Sequence, residues 1–447
     1  MGAEVNKNKP PHVIVVGGGA GGIELATRLG DSLGRRDRAV ITLVDKSATH
    51  IWKPLLHEVA AGSMDIHQHQ LDYLAQARWH HFRFQFGALE SLDRAAKTIQ
   101  IAAVEMDGSE MLPRRTLPYD LLVIAVGSTI NHFDVPGAAE HTIALDSSAD
   151  ADRLHRRLVA ACVRANARST AESPAAVEVA IIGGGATGVE LAAEIRSATR
   201  VLAAYGLDNI DPPRDVHLTI IEANPRLLPA LPERIAEATE ELLKNINVSV
   251  LNGEKVTEVG KDFVATASGK RIKAEIAVWA AGIKAPDFLT HLEGLESNRF
   301  NQLVVGLTLQ TTHDPGIFAI GDCAACPWPQ KDTADKKAWV PPRAQAAHQQ
   351  ASLLAKNIER YLDGKPLKDF RYRDFGSLVS VSEFSAVGTL MGALIGGSIF
   401  VEGLLARLMY ESLYKMHLLA LHGFFRTALE VLSHFIRNRT EPQVKLH

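Results

Sequence analysis

Two glycine triplets of identical spacing are the residues of this chain best placed to do chemistry. They are Gly17-x-Gly19-x-x-Gly22 and Gly183-x-Gly185-x-x-Gly188. In such a triplet the first glycine makes a tight turn, the second lets backbone approach a pyrophosphate, and the third lets a helix pack on a strand. The phosphates then rest at a helix N-terminus, where N–H groups without intrahelical partners and the helix dipole favour negative charge. A single triplet is often only a glycine-rich turn. Here each one follows an apolar run (Val13–Val16, Val179–Ile182) and opens a helical stretch (Ile23–Leu29, Val189–Ile195). That context points to two dinucleotides, and so to electrons passing between cofactors.

The elements around the triplets supply the acids that such sites need. An acid about twenty residues past the fingerprint binds a ribose hydroxyl. Asp45 closes the run Val40–Val44 and Glu222 closes Val216–Ile221. The interval from Gly188 to Glu222 is long, and Thr199–Asp215, with Pro212-Pro213, reads as an insertion between helix and strand. An acid at Glu222 repels a 2′-phosphate and favours NADH over NADPH, while nearby Arg226 works against that preference. Two further apolar runs end in glycine, Tyr119–Gly127 and Ile276–Gly282. In Gly316–Ala324, GIFAIGDCA, the acid Asp322 suits hydrogen bonding to the ribityl chain of a flavin, and a helix N-cap at Asp322 is compatible with that use.

Composition limits the alternatives. A length of 447 residues suits about two to three domains. A net charge of −3 gives nothing for nucleic acid to bind. The three cysteines, Cys162, Cys323 and Cys326, are too few for a disulfide framework. No apolar signal segment precedes the first strand, and the N-terminal hexapeptide lacks the Ser or Thr of a myristoylation signal. The polar stretch Asn166–Ala176 reads as a linker.

Beyond Gly403 the chain turns amphipathic. Arg407, Glu411, Lys415, His422, Arg426, Glu430 and Arg437 recur at spacings of four and seven among leucines and phenylalanines. Such helices lie in a membrane interface, with cationic side chains towards anionic headgroups. Phe384–Val401 lacks charge, but Gly388, Gly392, Gly396 and Gly397 break it into glycine-turned strands rather than a span. The expectation is a monotopic protein held on one leaflet.

The fingerprints, the strand-end glycines and GDCA together resemble the two-dinucleotide flavoprotein disulfide reductase superfamily. His50–Gly62 (HIWKPLLHEVAAG), Ala344–Ala351 (AQAAHQQA), Phe370–Gly388 and the C-terminal Val444–His447 narrow the resemblance to bacterial type II NADH:quinone oxidoreductases. It implies an α/β fold of two Rossmann-like dinucleotide-binding domains, glutathione-reductase-like, plus a C-terminal amphipathic helical membrane anchor. The expected division is 11–165 and 284–383 for the two parts of the FAD-binding domain, 176–283 for the NADH-binding domain, and 384–447 for the anchor. It also implies non-covalent FAD, NADH as substrate, and a membrane quinone, ubiquinone or menaquinone, as acceptor. The expected location is the cytoplasmic face of the inner membrane, with a homodimer possible.

The cofactor set is then Gly17, Gly19, Gly22, Asp45, Lys46, Lys53, Gly127, Asp322 and Ala344 for FAD, and Gly183, Gly185, Gly188, Glu222 and Gly282 for NADH; no metal site is expected. Disulfide reductases, and sulfide:quinone oxidoreductases too, need flavin-facing cysteines. This chain has none near the first fingerprint, and Cys323–Cys326 falls where the loop serves flavin binding and reads as structural. Without a relay thiol, hydride passes from nicotinamide to flavin and directly on to the acceptor. Gln345 and Gln349, four apart on a helix entered through Pro341-Pro342, share one face and can donate to a quinone carbonyl or flavin oxygen. His348 points away from that face and reads as structural. Glu190, placed inside the first turn of its helix, is by resemblance the acid at the nicotinamide–flavin–quinone junction, although dipole stabilisation alone would also suit it. Two other readings are an NADH-dependent reductase of a small iron–sulfur protein, disfavoured by the apolar tail, and a redox-sensing FAD/NADH interaction protein, disfavoured by the near-neutral charge.

Overall fold

Val13, Ile14, Val15 and Val16 are all buried, as an unbroken β-branched run at the centre of a parallel sheet requires. In this computed structural model the strand His12–Val16 pairs in parallel with Leu121–Ile124 on one side and Val40–Asp45 on the other. The six-stranded sheet runs Gln310–Thr311, Asp314–Ala319, Leu121–Ile124, His12–Val16, Val40–Asp45, Arg83–Phe86. Only Gln310–Thr311 is antiparallel to its neighbour. The run before the second fingerprint builds a parallel sheet in the same way, in the order Thr142–Ala144, Ile276–Trp279, Val177–Ile182, Val216–Glu222, Val248–Asn252. Each fingerprint strand therefore has neighbours reached in opposite directions, and ligands bind where the strand order reverses, beyond the carboxyl ends.

The described residues are 9–65, 69–170, 175–333, 337–380, 386–391, 398–402, 415, 417–421, 423 and 427–429. They form two compact units. One holds the chain up to Ile51, with Gln70–Thr129 and Lys284–Asp374; the other holds Trp52–His69, Ile130–Ile283 and the chain from Phe375. The stretch 130–165, read from the sequence as the end of the first domain, thus folds with the second unit. The reason is the helix Ser148–Arg168, closed at its start by a Ser147–Asp150 capping box, which buries Leu154, Leu158, Ala161, Cys162 and Ala165 there. The helix runs to Arg168, so the polar stretch expected from Asn166 begins later, and 171–174 lie outside the described residues.

Both fingerprint helices are longer than the apolar pattern indicated, spanning Ala20–Ser32 and Ala186–Ala204. The second absorbs part of the long interval before Glu222, and after a turn over 205–211 a short helix Pro212–Asp215 leads into the strand. Arg196 locks this arrangement. Its buried guanidinium donates to the carbonyls of Pro212 (2.5 Å), Val216 (2.8 Å) and Asn247 (2.7 Å).

Gly376–Ser380, Ala386–Met391 and Ser398–Glu402 form an antiparallel three-stranded sheet, in keeping with glycine-turned strands. Most of the amphipathic segment lies outside the described residues. Those described are helical, and His417 stacks on Trp52 with ring centroids 4.2 Å apart. Leu418 and Leu421 are buried, whereas Leu419 and Leu429 are exposed. Among the described residues no helix is long and apolar enough to cross a membrane.

Candidate active site

The first fingerprint loop is held from three sides. Gly17 sits at φ +102°, and its N–H donates to the Val44 carbonyl at 2.8 Å. A Cβ at Gly22 would stand 1.8 Å from the Gly17 oxygen, so that close approach admits glycine alone. Gly18, a variable position of the pattern, proves equally constrained. Its N–H donates to Asp45 Oδ2 at 2.6 Å, and its carbonyl accepts from Tyr73 Oη at 2.7 Å and His50 Nδ1 at 2.9 Å. A Cβ there would meet the Tyr73 hydroxyl at 2.3 Å. Gly19, by contrast, faces open space and begins the helix with no side-chain cap. No acid lies in the first helical turn. An open concavity at an uncapped helix start fits a pyrophosphate.

The second loop repeats this construction. Gly183 has φ +113°, and a Cβ at Gly188 would lie 2.0 Å from its oxygen. Gly184 donates to Glu222 Oε2 at 2.6 Å, while Glu222 Oε1 accepts the Asn224 N–H at 2.7 Å. Asp45 does the same, with Oδ1 accepting from the Ser47 N–H at 2.7 Å. Gly185 is open and uncapped. Arg226 is turned to the carbonyls of Leu228 and Pro229, at 3.4 and 3.2 Å.

Asp322 and Gly127 come together through Ser128, whose hydroxyl donates to Asp322 Oδ2 at 2.8 Å. Asp322 is not an N-cap. It lies within a 3-10 turn, Gly321–Cys323, that leads into a short strand, because Ala324-Ala325 pairs with Leu303-Val304 before a helix can begin. Cys323 and Cys326 are buried free thiols, both pushed up to about 12 by burial, and Cys162 is pushed up to about 11. Thiols so protonated are poor nucleophiles. Among the described residues no group of metal-ligating side chains occurs. Lys46 is exposed beside Asp45, and Lys53 forms an ion pair with Asp146 at 2.8 Å. Gly282 lies at φ +68° against the Phe133 ring.

Ala344 begins the helix Ala344–Leu362, which follows Pro341-Pro342 and an Arg343 N-cap. Gln349 is clamped by the 373 peptide: its amide donates to the Arg373 carbonyl at 2.8 Å and accepts the Arg373 N–H at 3.0 Å. Gln345 reaches Asp374 Oδ1 at 3.4 Å, and Arg343 reaches the same oxygen at 3.5 Å. One short segment thus orients both amides. His348 faces elsewhere and pairs with Glu24.

Glu190 corrects an expectation. Its helix starts at Ala186, so it is the fifth helical residue, beyond the first turn where the dipole acts most strongly. It is buried, with His57 Nδ1 3.8 Å from Oε2. His57 lies on the helix Leu56–Ala61, which packs on Ser148–Arg168 and Ala186–Ala204 within the second unit. Gln345 and Gln349 belong to the first unit.

The chain matches the pyridine nucleotide-disulphide oxidoreductase family over residues 11–351. The Type II NADH:quinone oxidoreductase of Haemophilus influenzae is 43% identical over 449 residues, covering 98% of this chain and 100% of that protein. The chain belongs to the type II NADH:quinone oxidoreductases. A member of the group from Staphylococcus aureus is 26% identical, over 86% of this chain and 91% of its own. The fold is also that of NDH2 from Plasmodium falciparum, solved in complex with NADH, with a TM-score of 0.80 at 18% identity, covering 98% of this chain and 100% of that one.

Two predictions follow from the buried groups. His50 and His57 both titrate at about 4, driven down from 6.5 by burial. Between those values the unfolded chain binds more protons, so stability is complete above pH 6.5 and is lost as pH falls towards 4. Each histidine contributes roughly 3 kcal/mol at most. Denaturant unfolding from pH 7 to 4.5 checks this: His50→Gln and His57→Gln should each flatten the slope, and an unchanged slope refutes the assignment. On the expectation that Glu222 binds the ribose, Glu222→Gln removes a charge that would repel a 2′-phosphate, with Arg226 turned to the carbonyls of Leu228 and Pro229. The ratio of kcat/KM for NADPH over NADH should rise about tenfold; a constant ratio means that Glu222 does not read that position.

Proposed function

We propose that the chain oxidises NADH and delivers two electrons through FAD to a membrane quinone, ubiquinone or menaquinone, without pumping protons. The observation that carries this reading is the doubled loop, in which a strand-end carboxylate grips the N–H of a middle glycine beside an open, uncapped helix start. Asp45 and Glu222 each offer a carboxylate to a ribose. Asp322, tied to the Gly127 loop by Ser128, makes the first site the flavin site, with Lys46 and Ala344 completing it, whereas Lys53 belongs to the second unit and pairs with Asp146 there. Glu222, Gly282 and the second loop hold NADH. The domain roles are those drawn from the sequence, except that 130–165 goes with the second unit: FAD in the two outer parts, NADH in the inserted part, lipid at the C-terminus.

FAD, when bound, supplies the two-electron chemistry between a hydride donor and a quinone. The chain's own residues place the partners and handle protons. NADH yields two electrons and one proton as hydride, so forming a quinol from a quinone takes one further proton from solvent. Glu190, buried beside a neutral His57, is the residue assigned to hold that proton. Gln345 and Gln349 donate to the acceptor's carbonyl, their amides oriented by the 373–374 segment. The buried, protonated thiols favour direct transfer over a cysteine relay.

The segment 403–437 is proposed to lie on an anionic bilayer at the cytoplasmic face, beside the quinone's point of entry. The exposed Leu419 and Leu429 favour this, while the packing of His417, Leu418 and Leu421 shows that part of the segment serves the protein body.

Anaerobic stopped flow tests the reaction. NADH should bleach the flavin, and a ubiquinone or menaquinone analogue should restore its colour faster than ferricyanide or oxygen does; no such advantage refutes the quinone assignment. Truncation before Gly403 tests the attachment. The shortened protein should stay in the supernatant of a membrane sedimentation, and continued pelleting with membranes refutes the anchor.

A further inference from the structure

The helix Ala344–Leu362 presents Gln345 and Gln349 to the 373–374 segment, and another of its faces meets the fingerprint helix Ala20–Ser32. The two helices approach closely: a Cβ at Gly21 would stand 3.2 Å from both the Cβ and the carbonyl oxygen of Ala347. Glu24 is buried at this contact, 1% exposed. Its Oε1 accepts from Arg28 Nε at 2.7 Å and from Ser352 Oγ at 3.0 Å, and its Oε2 from His348 Nδ1. Burial pushes this carboxyl up, but the bonds from His348 and Arg28 outweigh it and leave its pKa below the usual range. An ionised carboxylate in such a place must keep its partners, since an unpartnered buried charge is strongly destabilising.

His348 and Ser352 lie four apart on one face of their helix and bracket Gln349. We propose that Glu24 is a positioning residue for the acceptor half of the reaction. Through His348 and Ser352 it fixes the rotation and axial height of the helix Ala344–Leu362, and so where the Gln345 and Gln349 amides stand. The fingerprint helix itself is anchored independently, by Gly22 against Gly17 and by Asp45 on Gly18. Loss of the Glu24 charge therefore leaves the glutamine end of the helix held by its ties to 373–374 and to Gly321, free to shift the glutamines, while the dinucleotide loop stays in place. A misplacement of about 1 Å costs on the order of a hundredfold in rate. The inference rests on the quinone role proposed above for the two glutamines.

The test uses the full-length, FAD-loaded protein with Glu24→Gln and His348→Gln. Flavin reduction by NADH should stay within about twofold of wild type, while reoxidation by a short-chain quinone slows roughly ten- to a hundredfold. A readout apart from turnover is the Kd of a quinone analogue for the oxidised holoenzyme, from quenching of flavin fluorescence, which should weaken about tenfold. Equal losses in both half-reactions, or an unchanged Kd and reoxidation rate, overturn the proposal. If Glu24→Gln does not retain FAD, His348→Gln, altered at a side chain 24% exposed, carries the same readings. A wild-type protein whose reduced flavin ignores quinone overturns instead the quinone reading itself.

Discussion

A carboxylate at the end of a parallel strand, accepting the N–H of the middle glycine of the preceding loop, is the interaction on which both glycine loops depend. Asp45 does this for Gly18 and Glu222 for Gly184, each at 2.6 Å and each with its second oxygen on the N–H two residues further on. Hydrogen bonds to an ionised acceptor are short and roughly twice as strong as neutral ones. The bond holds the loop at the height where the following glycine, Gly19 or Gly185, faces open space. One residue thereby shapes the loop, and the two halves of the chain repeat it.

The helix proposed for the acceptor side is held on a different principle. The helix Ala344–Leu362 has no side-chain cap, and three of its faces are tied to three parts of the first unit. Gln345 and Gln349 bond to 373–374, Gln350 accepts the Gly321 N–H at 2.7 Å, and His348 and Ser352 meet Glu24. Gln350 thus links the helix to the turn that carries Asp322. Residues adjacent in sequence are committed to separate tasks because successive helical positions point about 100° apart. The thiols play no such part. Cys323 donates to the carbonyls of Ile124 and Ile320 beneath the Gly127 loop and behaves as a small buried side chain.

Much of this was legible in the sequence for a simple reason. The fingerprint glycines, the acids after the second strands and the apolar runs obey local rules of turn geometry and strand burial, so the central strands of both sheets and their loops could be read from the chain, whereas the edge strands Arg83–Phe86, Thr142–Ala144, Val248–Asn252 and Gln310–Thr311 lie outside those runs. Gly18 and Gly184 occupy positions the pattern leaves free, and their necessity comes from Tyr73 and from Glu222 with Leu227, which only the folded chain brings near. The three consecutive glycines at each site were the available signal. Helix lengths were underestimated because Ala20, Ala186 and the residues after Ile195 lack the apolar spacing that marks a helix.

The sequence by itself determined two dinucleotide loops, their acids and a glutamine pair on one helical face, because these follow from spacing along the chain. Tertiary structure alone decided which distant groups complete them. It gave Glu24 to His348 across 324 residues, Ser128 to Asp322, and 130–165 to the second unit. It also moved Glu190 out of the first helical turn and set it beside His57. Partners that meet across long separations are chosen by packing and by the need to satisfy buried charge, and neither leaves a periodic trace in the chain.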